Sequence, residues 1–191
     1  SNLIDWIKTK KPIEDICKEI ESKMARDNVI KRMTENLQND AYGESWAKPL
    51  LALIEYEQTD ESKNSFFSLD KNIHADHILP LRWDLVAEWN SQWKKEDADQ
   101  CINRLGNLTL LSGKKNMAQH NDPPNKKRDM YKIGQGGTTA FEISKMVLEK
   151  LKTGKWTKDD IEERQEWIIN ETLKLLGLKF ISSDKIPYYS E

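Results

Sequence analysis

Two short segments, one rich in histidine and one rich in asparagine, constrain this chain more than any other feature. The first reads His-Ala-Asp-His-Ile-Leu-Pro over residues 74–80, and the second reads Asn-Arg-Leu-Gly-Asn-Leu-Thr-Leu-Leu over residues 103–111. The three histidines of the protein, His74, His77 and His120, all fall in or just after these segments. Pro and Gly punctuate both apolar runs, which predicts two short strands with polar side chains at their ends.

Apolar residues recur at helical spacing on both sides of the predicted strands. The spacing predicts helices over residues 12–37 (with a break near Asp27), 45–57, 114–119, 138–151 and 157–176. In the second of these helices we expect Ser45 to be the N-cap and Leu53 to face inward. A Thr-x-x-Asp pattern from Thr157 resembles a capping box and marks the start of the last helix. We expect residues 177–191 to form a loose tail. The pattern predicts an α+β fold in which a mainly helical domain surrounds a small strand-turn-strand-helix unit.

Length and composition favour a single soluble domain without a membrane anchor. The chain has 191 residues, of which 32% are charged, and no apolar run approaches the roughly 20 residues that span a bilayer. Two cysteines without metal-ligand spacing indicate reduced thiols, so we expect a cytoplasmic protein. The net charge of -2 argues against a general nucleic-acid coat, yet residues 104–132 hold seven basic side chains against two acidic ones. Phosphate binding depends on where charge lies, so this basic segment stays a candidate nucleic-acid surface.

Asp76 and His77 are neighbours on an extended segment, so their side chains point to opposite faces and have separate roles. A carboxylate suits a hard divalent cation, whereas an imidazole suits proton transfer near neutral pH. Asn116 lies on the helix predicted after the second strand and offers a neutral oxygen ligand. One carboxylate and one amide leave most of the coordination sphere to water and phosphate, as Mg²⁺ prefers.

This set of residues resembles the HNH (His-Me finger, ββα-metal) nuclease motif, including that of RNA-guided CRISPR effectors. It is most similar to the C-terminal nuclease domain of GmrSD-type modification-dependent restriction endonucleases. The resemblance implies that His77 is the general base, that Asp76 and Asn116 hold one Mg²⁺ or Mn²⁺ ion, and that Asn107 orients the loop between strand and base. It leaves His74 as a further ligand or a phosphate-orienting group. An asparagine instead of a histidine at the last position favours Mg²⁺ or Mn²⁺ over a softer metal.

The resemblance also implies a domain plan and a biological setting. We expect an N-terminal helical region over residues 1–70, an HNH core over 71–133, and a C-terminal helical region over 134–191 that packs on the core. Together they would form one compact domain, the C-terminal part of a longer protein with an N-terminal ParB-like nucleotide-hydrolysing domain. The implied function is cleavage of double-stranded DNA in restriction and phage defence.

The basic residues near the motif are candidate nucleic-acid contacts: Arg104, Lys114, Lys115, His120, Lys126, Lys127 and Arg128. Lysine and arginine at such positions hold phosphates and do not read bases. Three alternatives stay open at this point. The domain could cleave RNA or nick DNA, it could be a catalytically silent nucleic-acid-binding module, or it could hydrolyse small phosphoesters. The basic segment favours a polymer over a small phosphoester.

Overall fold

A short antiparallel hairpin surrounded by helices forms the centre of the protein. The computed structural model describes residues 2–59, 73–112, 121–131, 141–180 and 187–189. The α-helices are α1 (Asn2–Lys8), α2 (Ile13–Arg26), α3 (Val29–Gln38), α4 (Ala47–Gln58), α5 (Ala87–Asn90), α6 (Lys95–Cys101), α7 (Pro124–Tyr131), α8 (Glu142–Leu151) and α9 (Lys158–Leu175). The strands are β1 (Ile73–His77), β2 (Leu108–Ser112), β3 (Leu178–Phe180) and β4 (Pro187–Tyr189), with 3₁₀ turns at Trp83–Leu85 and Leu105–Asn107. The predicted α+β fold class is confirmed.

The central hairpin consists of the two strands that the sequence predicts. β1 pairs with β2 in an antiparallel register that sets Asp76 opposite Thr109 and His77 opposite Leu108. Strand alternation places His74 and Asp76 on one face and His77 on the other. Asp76 and His77 therefore lie at the end of β1, next to the start of β2.

Three helices pack on this hairpin and enclose its apolar side. α4 contacts both strands, α8 contacts β2, and α9 packs against the 3₁₀ turn that precedes β2. Buried side chains join these elements into two apolar clusters, one containing Leu51, Ile54, Leu108, Leu110 and Ile168, the other Ile78, Leu79, Trp89, Trp156 and Ile161. The ends of the hairpin are thus fixed by helices from both sides of the sequence motif.

The N-terminal helices follow the predicted pattern with differences at their ends. The long helix is broken where the sequence indicates, because Asn28 adopts a left-handed conformation with φ of 49° between α2 and α3. α4 begins after Trp46 without a side-chain cap, so the expected capping role of Ser45 is wrong. Leu53 was expected to face inward but is 56% exposed. Helical spacing alone did not fix which side of α4 is buried.

The C-terminal elements are partly as predicted. The capping box at the start of α9 is confirmed, since Thr157 and Asp160 cap each other's backbone N–H groups. The expected loose tail is wrong for part of its length, because β3 pairs with β4 in an antiparallel hairpin. The predicted helix over residues 114–119 and both predicted region boundaries, at 70/71 and 133/134, lie outside the described residues. Within those residues, every helix is too short or too polar to traverse a lipid bilayer.

Candidate active site

The side chains of Asp76 and His77 lie in two different environments, as strand alternation requires. The carboxylate of Asp76 faces α7, where it accepts hydrogen bonds from Lys127 and Tyr131. The imidazole of His77 lies on the opposite side, against Tyr42 and Asn103. The end of β1 therefore presents an acidic group and an imidazole to separate sets of neighbours.

The His77 ring is held by a hydrogen bond and by an aromatic contact. Its Nε2 atom lies 3.1 Å from Oδ1 of Asn103, and the Tyr42 ring centroid is 4.1 Å from its own, at an interplanar angle of 50°. Because a carboxamide oxygen can only accept, Nε2 carries the proton and Nδ1 carries the lone pair of the ring. Burial lowers the pKa of His77, although the bond to Asn103 opposes that shift. The imidazole is thus uncharged at neutral pH, with 6% of the residue exposed.

Backbone pairing brings Tyr42 to the histidine across a large sequence separation. The carbonyl of Asn103 accepts hydrogen bonds from the N–H groups of Ala41 and Tyr42, at 2.8 and 3.0 Å. An isolated bridge between Asp40 and Arg104 continues this pairing. The same residue, Asn103, therefore holds the imidazole through its side chain and the covering tyrosine through its backbone.

Asn107 is fully buried, and both the oxygen and the nitrogen of its side-chain amide form hydrogen bonds. Its Oδ1 accepts from the backbone N–H of Leu79 at 2.8 Å and from the indole of Trp156 at 3.0 Å. Its Nδ2 donates to the carbonyls of Leu79 at 3.0 Å and Ile102 at 2.8 Å. The backbone carbonyl of Asn107 also accepts from Ile78 at 2.9 Å. These bonds connect the loop after His77 to the turn before β2. The sequence analysis expects Asn107 to orient this loop after His77.

Helix α9 fixes the turn around Asn107 from behind. The buried guanidinium of Arg164 donates from Nη1 to the carbonyls of Leu105, Gly106 and Leu108, and burial lowers its pKa to about 10. Gln165 accepts a hydrogen bond from the N–H of Gly106 at 2.6 Å. A Cβ atom at Gly106 would overlap the backbone carbonyl of α9, so a residue without a side chain is required here for close approach.

The carboxylate of Asp76 has the chemistry of one ligand for an oxygen-preferring cation. Its side chain is 12% exposed, and the hydrogen bonds that it accepts from Lys127 and Tyr131 both end on Oδ2. Among the described residues, no group of three or more acidic, histidine or cysteine side chains is placed to hold a metal ion. A magnesium-type ion keeps several waters and needs only one or two protein oxygens. Asp76 therefore fits such an ion, while Asn116, the second predicted ligand, lies outside the described residues.

The predicted nucleic-acid contacts differ in their surroundings. Lys126 is exposed and Arg104 is half-buried. Arg128 is also half-buried and forms an ion pair with Asp129 at 3.1 Å. Lys127, in contrast, is 1% exposed and faces Asp76, so it is not positioned as the surface phosphate contact that the sequence analysis expects. Lys114, Lys115 and His120 lie outside the described residues. His74 lies on β1, opposite Leu111.

Four residues of the site have no assigned role in the sequence analysis: Tyr42, Asn103, Trp156 and Tyr131. Asn103 opens the asparagine-rich segment, and its place four residues before Asn107 was an available signal. Tyr131 follows Lys127 by one helical turn, so a shared face was also predictable. Tyr42 and Trp156 reach the site from distant parts of the chain, and nothing in their local sequence indicates this.

Comparison with protein families identifies this chain. The family model described as the C-terminal domain of GmrSD restriction endonucleases matches residues 24–171. This range covers most of the chain, including both segments of the motif, α4, α8 and most of α9. Neither a curated protein nor a solved structure shows significant similarity to this chain.

Proposed function

This chain belongs to the family of GmrSD restriction endonuclease C-terminal domains, and we propose that it is a metal-dependent HNH endonuclease that hydrolyses DNA phosphodiester bonds. The observation that carries the proposal is the geometry at the end of β1. There a neutral imidazole is held at Nε2 by Asn103, and the preceding residue, Asp76, supplies a carboxylate. An imidazole can deprotonate the attacking water and an oxygen ligand can hold a divalent ion, and together these two functions allow metal-dependent hydrolysis of a phosphodiester.

In this proposal His77 is the general base. Its Nδ1 accepts the proton of the attacking water, while the Nε2 proton stays on the hydrogen bond to Asn103. Burial lowers the pKa of His77, which keeps the ring unprotonated at neutral pH. Tyr42 covers the ring and Asn107 fixes the loop that follows it, so the imidazole has little freedom to turn away.

Asp76 and Asn116 are the proposed ligands of one Mg²⁺ or Mn²⁺ ion. When bound, such an ion supplies positive charge for the phosphate and the departing oxygen. Asp76 reaches this role from the face of β1 opposite His77. Arg104, Lys126 and Arg128 are the proposed phosphate contacts among the described residues, because Lys and Arg hold a duplex by its backbone. A role in phage defence, together with a ParB-like nucleotide-hydrolysing domain, stays a prediction from the family resemblance.

The test is cleavage of plasmid DNA by the purified chain and by a His77→Ala variant, with Mg²⁺ or Mn²⁺. Removal of a general base slows such reactions by about 10²–10⁴-fold, so we expect the variant to be nearly inactive. Binding of DNA in EDTA should be largely unchanged, because the proposed phosphate contacts are Arg104, Lys126 and Arg128, and the substitution leaves all three in place. A thermal unfolding curve checks that the variant is folded.

The outcomes separate the proposal from its rivals. Cleavage by folded His77→Ala at the wild-type rate refutes His77 as the base. Parallel incubation with structured RNA distinguishes a DNA nuclease from an RNA nuclease. Open-circular product without linear product identifies nicking. A wild-type chain that binds DNA but cuts neither polymer, with either ion, is a silent binding module.

A further inference from the structure

Lys127 is a buried lysine at the centre of the candidate site. Its ammonium lies 3.1 Å from Oδ2 of Asp76 and also donates to the backbone carbonyl of His77. Only 1% of its side chain is exposed, so it has no open face toward a bound nucleic acid. One cation thus contacts both residues that the proposed function assigns to catalysis.

The burial of Lys127 requires a specific partner. An unpaired ammonium in the interior is costly, and buried charges persist where they are paired and hydrogen-bonded. Burial lowers the pKa of Lys127, and the Asp76 carboxylate acts against that shift. The ion pair therefore restrains both side chains. Neither the ammonium nor the carboxylate is exposed enough for water to replace its partner fully.

A second donor on the same helix reaches the same carboxylate oxygen. The hydroxyl of Tyr131, one turn after Lys127 on α7, donates to Oδ2 of Asp76 at 3.3 Å. Tyr131 is also buried. Two donors on a single helix face hold one oxygen of Asp76, which restricts the rotation of the carboxylate.

We propose that Lys127 is a positioning residue that locks the metal-binding carboxylate of Asp76 to the backbone of the catalytic His77, with Tyr131 as a second clamp. This inference rests on the proposed function. It also separates the adjacent lysines by role, because Lys126 is exposed and is one of the proposed phosphate contacts. Lys127 sets the geometry of the reacting groups and Lys126 contacts phosphate.

Steady-state cleavage kinetics of the Lys127→Met and Lys126→Met variants test whether the two lysines have these different roles. A positioning residue without DNA contact affects kcat, so we expect Lys127→Met to lower kcat at least about tenfold with KM within about twofold of wild type. Lys126→Met should raise KM. Lys152→Met, which changes an exposed lysine paired with Glu149 far along the chain, is the matched control and should change neither constant.

Unfolding in EDTA provides a readout independent of activity. Lys127→Met leaves the Asp76 carboxylate poorly paired, and we expect Asp76→Asn to relieve much of that loss. These two substitutions and the double variant form a double-mutant cycle. The factor by which the double variant lowers the folding equilibrium constant should be at least about fivefold smaller than the product of the factors for the two single variants. If Lys127→Met does not fold, Tyr131→Phe preserves the ring, and its kcat should fall about fivefold with KM unchanged.

Failure of the two proposals gives different results. A wild-type chain that cleaves no nucleic acid overturns the proposed function and the positioning role of Lys127 with it. A wild-type chain that cleaves, with kcat unchanged in Lys127→Met or in Tyr131→Phe, overturns the positioning role alone. Independent, multiplicative losses in EDTA overturn the pairing of Lys127 with Asp76.

Discussion

Replacement of Asn107 by alanine should destabilise the protein more than any exposed substitution, because four hydrogen bonds depend on one buried amide. The change leaves two donors without an acceptor, the backbone N–H of Leu79 and the indole N–H of Trp156. It also removes the donor from the carbonyls of Leu79 and Ile102. These groups lie in the interior, so water cannot replace the amide at little cost.

The magnitude follows from the number of groups left unpaired. An orphaned buried donor costs about 1–3 kcal/mol, so the two N–H groups together give about 4 kcal/mol. The two carbonyls add less, since each oxygen has a second lone pair. For a chain of this length, a loss of about 4 kcal/mol lowers Tm by about 8–16 °C.

Urea unfolding followed by tryptophan fluorescence measures this loss. Asn90→Ala is the matched control, because Asn90 is exposed at the end of α5, and its free energy of unfolding should stay within about 0.5 kcal/mol of wild type. An Asn107→Ala protein that loses less than about 1 kcal/mol would refute the reasoning. It would mean that the four bonds do not hold the loop after His77 to the turn before β2.

Two further predictions concern the support around the site. Gly106→Ala should destabilise by about 1–3 kcal/mol in the same assay, because its Cβ overlaps the backbone carbonyl of Ile161 and overpacking has that cost; wild-type stability would contradict the close approach. Glu55 accepts from the N–H groups of Glu142 and Ile143 at the start of α8, and burial raises its pKa above the usual range for glutamate. A raised folded-state pKa gives stability that is complete below the unfolded pKa and is lost as the pH rises through the folded one. Wild type should therefore gain stability over Glu55→Gln as the pH falls from about 7 toward the ordinary glutamate pKa of about 4.3, and a constant difference between the two would refute this.

Local signals in the sequence were sufficient for the hairpin and for most helices. The two strands follow from short apolar runs bounded by Pro80 and Gly106, and the start of α9 follows from the pairing of Thr157 with Asp160. Each of these features depends on residues only a few positions apart. The β3–β4 hairpin has no comparable signal, since its three-residue strands are too short to show a period.

The environment of the site required information that no local pattern holds. Lys126 and Lys127 are identical in type and adjacent in sequence, yet a rotation of about 100° along a helix separates their directions. Lys127 shares its face with Pro124 and Tyr131, both buried, and that spacing could have indicated an interior lysine. Its partner Asp76 lies 51 positions away, so the ion pair itself could not be read from the sequence.

The support of the site explains why the motif alone does not describe the functional unit. His77 is covered by Tyr42 from the N-terminal region, whereas Asp76 is held by α7. Asn107 is held by Trp156 from the C-terminal region, next to α9, which fixes the turn around it. Each of these three side chains therefore depends on a different part of the chain. The family model matches residues 24–171, a range that contains Tyr42, Lys127 and Trp156 as well as the two short segments, so the matched unit includes these supporting contacts.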